Sequence, residues 1–458
     1  IAMTKELVGN YNSAYGFLQL FGILADFGLY AIAVRELSRP EQSTRMIGAL
    51  FILRLAGVCL SLGTAVLLVW IIPAWRGTPL PLGVTFASLT PFFTLTGGIF
   101  RSVFQVRYRM HLVFIAEVLQ RILTTALIGL FIVIGIRGTT DTRILDLALI
   151  IGSAGAFVYF LLSFLFVRRL TSIAIRWDAP LLRELLRKAF PFGVAYLCIA
   201  FYRQFDLTLI ALLRPDFELQ NAYYGIVARI MDMGFIMPTF LLNSTLPTLH
   251  EASMRGKDTR FLLGNTFLTL LLIGSISALF AAFWARPLTM LLTTDSYLAT
   301  ATRPGTDTAL RLLSIPLLFN SFIIFPFYTL LNLGKWRRLV SSLLLGSIIS
   351  LVLNLLLIPS FGFVGAAYTS IIVHLLLALL LFPQGLKAMP LRLAETSVMR
   401  LALFLLILTT TLAVITPFLT STLFAACGLA AMAVFLVLMG WALGISRLFP
   451  DGRDTLSK

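Results

Sequence analysis

The stretch FYRQFDLTLI, residues 201–210, sets Arg203 and Asp206 among Phe, Tyr, Leu and Ile. In apolar surroundings a guanidinium is a bidentate donor for phosphate or carboxylate. A carboxylate there is an acceptor that suits a cation or a proton. The same order and i, i+3 spacing recur at Arg229 and Asp232. Glu117 and Arg121 stand at i, i+4 with the acid first, which favours pairing along one helix. Arg54 and Arg311 interrupt other apolar runs, and Asp26 does so with no basic residue within a turn of it. An acid without a local partner in hydrocarbon is suited to take up a proton or sodium ion. These nine groups are the candidate site. Arg203, Arg54, Arg229, Arg121 and Arg311 are expected to bind an anionic substrate. Asp26, Glu117, Asp206 and Asp232 are expected to couple or gate. Self-pairing along one helix is the competing explanation for Arg203–Asp206 and for Glu117–Arg121. Snorkelling competes for Arg54, Arg229 and Arg311. His374, alone among Val and Leu, reads as a packing residue.

The elements that carry these groups follow from composition. The chain has 458 residues, is 59% hydrophobic and only 12% charged, and has a mean hydropathy of +0.95. A soluble domain is about 25% charged. The class is therefore an all-α polytopic membrane protein, since a span needs about 20 mostly apolar residues. Thirteen such segments are visible: 11–34, 47–72, 80–100, 112–136, 144–167, 190–213, 222–247, 261–284, 307–333, 339–358, 363–383, 401–416 and 423–445. Arg203 lies about 20 Å into its span, too deep to reach either surface easily. A charge at that depth costs roughly 2.5 to 3.5 kcal/mol and needs a reason.

A net charge of +16 would suit nucleic acid, but the basic residues are scattered through short loops and form no stripe. Cys59, Cys198 and Cys427 fall in apolar runs and read as small hydrophobes. Three His residues without ligand spacing give no metal site, and there is no phosphate-binding GxxxxGK[ST] loop. No cofactor is expected beyond a coupling proton or sodium ion.

Loop charge sets the orientation. One alternate set of loops carries 24 Lys and Arg and the other 7, so the richer set, with the C-terminus, is expected in the cytoplasm. Thirteen spans would then leave the N-terminus outside. The expectation is a parent protein of 14 spans whose first is missing here. The loop 168–189 is basic, with Leu181, Leu182, Leu185, Leu186 and Ala189 on one face and Arg183, Glu184, Arg187 and Lys188 on the other. It reads as an amphipathic linker on anionic lipid. It divides an N-lobe, 1–167, from a C-lobe, 190–383, followed by 384–458 with two extra spans and a cytoplasmic tail. Two six-helix lobes suggest a transporter built from repeats. A faint echo joins them: Tyr15-Gly16 precedes Asp26-x-Gly28, and Tyr224-Gly225 precedes Asp232-x-Gly234. Pro91, Pro238, Pro316 and Pro326 lie inside spans and suit bent helices.

Three stretches carry a family resemblance. NSAYGFLQLFGILADFGLYAIAVRELSR (12–39) resembles the second span of the polysaccharide flippases. LNLLLIPSFGFVGAAYTS (353–370) resembles their Asn-x-x-x-Ile-Pro-x-x-Gly-x-x-Gly-Ala-Ala hairpin, carried by Asn354, Pro359, Gly362, Gly365 and Ala366. FYRQFDLTLIALL with the following AYYGIVARIMDMGFIMP resembles the seventh-to-eighth-span region. The resemblance implies the Wzx-like branch of the multidrug/oligosaccharidyl-lipid/polysaccharide exporter superfamily. It implies two six-helix lobes around an internal cavity, and alternating-access flipping of polyprenyl-diphosphate-linked oligosaccharide across the bacterial inner membrane, not an enzyme activity. The implied partners are the lipid-linked oligosaccharide, membrane lipid and polysaccharide assembly proteins. Rival readings are a drug or metabolite exporter of the same fold, a lipid II flippase, and a membrane glycan polymerase or ligase. The last would need a sizeable outer loop with catalytic Arg or His, and the longest, 285–306, holds only Arg286 and Arg303 and no His.

Overall fold

The computed structural model describes residues 3–37, 43–134, 141–171, 177–254 and 259–444. Helices account for nearly all of them, with no strand among the described residues. In chain order they are α1 Lys5–Asp26, α2 Leu29–Leu37, α3 Ser43–Ile71, α4 Leu80–Ala87, α5 Leu89–Val106 and α6 Met110–Val133. Then come α7 Thr142–Leu170, α8 Ala179–Gln204, α9 Asp206–Leu213, α10 Phe217–Met254, α11 Arg260–Phe283 and α12 Ala285–Leu292. The last five are α13 Thr306–Asn332, α14 Trp336–Phe361, α15 Phe363–Ala388, α16 Glu395–Ile415 and α17 Thr422–Ala442. Contacts divide the chain into two compact units, the first ending at Gly225 and the second beginning at Ile226. Helices α8 and α9 and the start of α10 pack within the first.

Eleven helical segments among the described residues are long and apolar enough to cross a membrane. The expected spans 11–34 and 222–247 fall on α1–α2 and α10 instead. Helix α1 is less apolar because it carries polar side chains into the protein interior: Asn10, Asn12 and Ser13 are all buried. The surface behaves oppositely. Leu60, Leu67, Val133, Leu356, Val437 and Trp441 are exposed, as lipid-facing side chains must be where no hydrophobic force separates helix from solvent.

Interruptions shape several spans. Ser88 separates α4 from α5 just before Pro91, which has no N–H for the ladder. Phe205 separates α8 from α9, and Trp284 separates α11 from α12. The motif 353–370 folds as a helical hairpin. Gly362 (φ 58) turns the chain between α14 and α15, and a Cβ on Gly365 would lie 2.5 Å from the Leu357 carbonyl oxygen.

The linker expectation needs correction. Residues 179–189 form the first turns of α8, continuous with the rest of that helix. Much of their apolar face packs on protein, while Leu186 stays exposed. Leu182, Leu185 and Ala189 are buried in a cluster with Leu29, Ile32 and Ala33 of α2 and Ile47 and Leu50 of α3. An apolar stripe packs on the nearest apolar surface, and α2 and α3 supply one. On the other face Lys188 Nζ donates to Glu36 Oε1 at 3.0 Å and to Glu184 Oε1 at 2.7 Å. Residues 172–176 of the linker and 446–458 of the tail lie outside the described residues.

Candidate functional site

Helix α3 turns one face to α1, carrying Arg54, Gly57, Ser61 and Ala65 at helical spacing. A Cβ on Gly57 would lie 3.0 Å from the Ala25 carbonyl oxygen, so glycine permits the close approach. Ser61 Oγ donates to the Phe21 carbonyl at 2.6 Å and ties the helices together. One turn before Gly57 this geometry brings Arg54 against Asp26, the last residue of α1. Arg54 Nη1 donates to Asp26 Oδ1, and Nε donates to the Leu95 carbonyl of α5 at 2.8 Å. Gly98 of α5 leaves room, since a Cβ there would be 3.1 Å from Arg54 Nη2. The Arg54 side chain is 4% exposed and that of Asp26 is 27%.

Asp26 therefore does have a basic partner, contrary to the reading from its own helix. The partner comes from a different span, where spacing along one helix cannot reveal it. Position also matters: α1 ends here, with Phe27 (φ 36) and Gly28 (φ 75) both left-handed. The free carbonyls of a helix C-terminus disfavour an anion, and the buried guanidinium offsets this. A partly exposed acid held by a buried cation is an arrangement in which a proton or small cation can compete with the arginine for the carboxylate.

A second polar group lies on α2, α5 and α6. Glu117 Oε1 accepts from Arg101 Nη1 of α5 at 3.2 Å, not from Arg121 along its own helix. Arg121 is exposed. Tyr30 Oη donates to Gln105 Oε1 at 2.7 Å. Arg101, Gln105 and Tyr30 were not singled out from sequence, because Arg101 and Gln105 fall in an expected loop and Tyr30 in an apolar run.

The opening puzzle resolves at a helix end. Arg203 is in the last turn of α8, half-buried, where a cation complements the free carbonyls. Asp206 begins α9, is buried, and accepts a hydrogen bond from Tyr224 Oη at 2.7 Å. The chain thus breaks between the two charges, at Phe205. Around them a polar seam joins α1, α9 and α10. Asn221 Nδ2 donates to Ser13 Oγ at 2.8 Å and to the Leu207 carbonyl at 2.9 Å, and Asn12 Nδ2 donates to the Asn221 carbonyl at 3.0 Å.

The Tyr-Gly echo has matching geometry. Tyr224 reaches Asp206 at the α8–α9 break, and the Tyr15 hydroxyl lies 3.3 Å from Thr90 Oγ1 beside the α4–α5 break. Each following glycine admits a neighbour. A Cβ on Gly16 would meet Leu207 at 2.7 Å, and one on Gly225 would meet Asn12 at 2.4 Å.

The second unit holds the remaining candidates on two helices. Arg229 is exposed and Asp232 half-buried on α10, while Arg311 is exposed on α13. His374 is buried on α15, stacked on Phe235 at 5.6 Å, with Nδ1 2.7 Å from the Ser370 carbonyl oxygen. Packing is its evident role. Of the nine predicted residues, the described contacts bring Asp26 and Arg54 together. Arg54 is enclosed and already bonded, whereas Arg121, Arg229 and Arg311 are exposed. No group of three or more His, Cys, Asp or Glu side chains converges among the described residues.

Comparison with solved structures places this fold. The lipid II flippase MurJ in an inward closed conformation superposes with a TM-score of 0.68 at 14% identity, covering 96% of this chain and 91% of that one. An inward-facing multidrug resistance MATE family transporter of the MOP superfamily gives 0.63 at 15% identity, covering 84% and 93%. An outward-facing MATE family transporter gives 0.60 at 17%, covering 84% and 87%. The chain is a multi-pass membrane protein with the fold of these transporters. No curated protein matches it by sequence. The profile of a family described as "Polysaccharide biosynthesis protein" matches residues 1–251, more than half of the sequence. The resemblance read from the three motifs is borne out: the chain belongs to the polysaccharide biosynthesis protein family.

Proposed function

We propose that this protein flips a polyprenyl-diphosphate-linked oligosaccharide unit across the bacterial inner membrane by alternating access, with its C-terminus in the cytoplasm. Membership of the polysaccharide biosynthesis family is the observation that carries this reading. The fold supports it, since relatives of this architecture include structures described as inward-facing and as outward-facing. Arg203, Arg121, Arg229 and Arg311 are assigned to the diphosphate, for which guanidinium is a bidentate match. Asp26 is assigned to the coupling ion, and Arg54 is its internal counter-charge. Occupation of Asp26 by a proton or sodium ion would loosen the contact between α1 and α3 that Arg54 makes.

The test is glycan export in cells carrying this chain as their sole flippase, at matched expression. Asp26→Asn and Arg203→Ala are each expected to abolish export and to trap lipid-linked units in the cytoplasmic leaflet. Intact export in a variant with Arg203, Arg121, Arg229 and Arg311 all replaced by Ala removes the diphosphate assignment. Altered resistance to cationic drugs with unchanged glycan export would favour the drug exporter reading.

A further inference from the structure

Within the second unit a cavity of about 350 Å³ is lined by Lys335, Arg338, Ser341, Gln384, Lys387 and Ala388. It lies at one end of the α14–α15 hairpin, opposite the Gly362 turn. The hairpin itself creates it. The tight turn makes α14 and α15 antiparallel, so the start of one and the end of the other meet. Lys335 caps the start of α14, Arg338 lies in its first turn, and Lys387 lies in the last turn of α15.

Three cations converge here without an anion to balance them. The sequence from Thr308 to Ala394 contains no Asp or Glu. None of the three forms an ion pair with a described residue. The first-turn N–H groups of a 26-residue helix add partial positive charge. Polar acceptors are present too. Gln384 Nε2 donates to Ser342 Oγ at 3.0 Å, while its buried Oε1 has no hydrogen-bond partner among the described residues.

Below the cations the surface becomes apolar. Leu344, Leu345 and Ile348 on α14 and Leu379 on α15 are exposed one to three turns deeper. A free phosphate would use only the cations. An acylated phosphate would use both levels, with its chains along these leucines. Trp336, at the same end, is an aromatic of the kind that sits at headgroup level, with Arg337 5.8 Å from its ring centre.

We propose that this pocket is a binding site for the headgroup of an anionic glycerophospholipid, held by Lys335, Arg338 and Lys387. The phosphate sits among the cations, beside Gln384. The site does not depend on which molecule the protein transports. It would anchor the hairpin at the membrane end that loop charge marks as cytoplasmic.

The test uses the purified full chain in zwitterionic detergent. Bound lipid is read by native mass spectrometry and by the thermal shift on adding phosphatidylglycerol, phosphatidylcholine or inorganic phosphate. The native chain is expected to retain phosphatidylglycerol over phosphatidylcholine. Replacing Lys335, Arg338 and Lys387 together by Ala should weaken that preference roughly 100-fold, at about fivefold per cation. Replacing Arg286 and Arg303 by Ala should not change it. The charge-preserving set Lys335→Arg, Arg338→Lys and Lys387→Arg should keep most of it. An unchanged preference in the triple variant overturns the proposal. So does displacement of the lipid by equimolar inorganic phosphate, which would make this a small-anion site. If the triple variant does not fold, Arg338→Ala and Lys387→Ala singly must each show the fivefold loss, and an unchanged preference in both overturns it.

Discussion

The two units handle charge in the membrane differently. In the first, Glu36, Arg54 and Asp206 are buried; in the second, Asp307 is the one buried charged side chain among the described residues. The buried acids of the first unit sit at helix ends. Glu36 is next to the last residue of α2, and Asp206 opens α9. Asp26, partly exposed, ends α1. There the backbone already has unsatisfied groups, so a charge is added to a site that polar partners must serve anyway. Arg54 reaches such a site from the middle of α3, and Lys188 reaches Glu36 from within α8. The second unit closes its interruptions with neutral groups. Trp284, fully buried, fills the α11–α12 break and donates Nε1 to the Leu412 carbonyl at 3.4 Å. Asp307 is no exception, for it accepts the Ala299 N–H at 2.7 Å in the first turn of α13. Buried charge among the described residues is thus concentrated in the first unit.

The sharpest way to break that contrast is to remove one member of the Asp26–Arg54 pair. Asp26→Ala leaves a buried guanidinium without its anion and is expected to cost about 3–5 kcal/mol. Arg54→Ala should cost less, because the Asp26 carboxylate keeps access to its surroundings. Replacing both, as Asp26→Leu with Arg54→Met, should recover much of the loss. Denaturant unfolding in detergent measures all three. A double variant as unstable as Asp26→Ala would show that the pair is not the unit of stability. Tyr224→Phe comes next. It strips a hydroxyl donor from buried Asp206 and should cost about 1.5–3 kcal/mol. A neutral outcome would mean that Asp206 is served equally well by its other neighbours.

In the second unit the corresponding weak point is packing, not charge. Gly365→Ala would force a methyl group against the Leu357 carbonyl and carbonyl carbon, at 2.5 and 2.7 Å. Shifting α14 against α15 to relieve it should cost about 1–3 kcal/mol. The loss should be independent of pH and of added sodium, since the clash involves no titratable group. Sensitivity to either would blur the distinction between the units.

How far the sequence disclosed this depended on whether a signal was local. Apolar runs and the Gly362–Gly365–Ala366 pattern depend on neighbours along the chain, so the spans and the hairpin were legible. Arg54 and Asp26 were each visible as buried charges. Their meeting was not, because the close approach of α1 and α3 at Gly57 has no trace in the spacing around either residue. The amphipathic pattern of 179–189 was legible, and the burial of Leu182, Leu185 and Ala189 against α2 and α3 was not. Periodicity names an apolar face without saying whether lipid or protein will cover it. Tyr15 and Tyr224 show the converse. A repeat too weak to argue from sequence marks, in three dimensions, two hydroxyls placed beside two helix breaks.

Glu117 and Arg101 offer the smallest stability effect and the cleanest separation of structure from function. Both side chains are more than a third exposed, at 37% and 40%. Their attraction is therefore screened, and a double-mutant cycle with Glu117→Gln and Arg101→Gln should give only about 0.2–1 kcal/mol of coupling. Any larger value would place this pair with the buried charges of the first unit. With stability so little affected, export becomes informative. If Glu117→Gln abolishes glycan export while unfolding is unchanged, the acid acts in the transport cycle and shares the coupling role assigned to Asp26. If export also survives, the proposed coupling role narrows to Asp26 with Arg54.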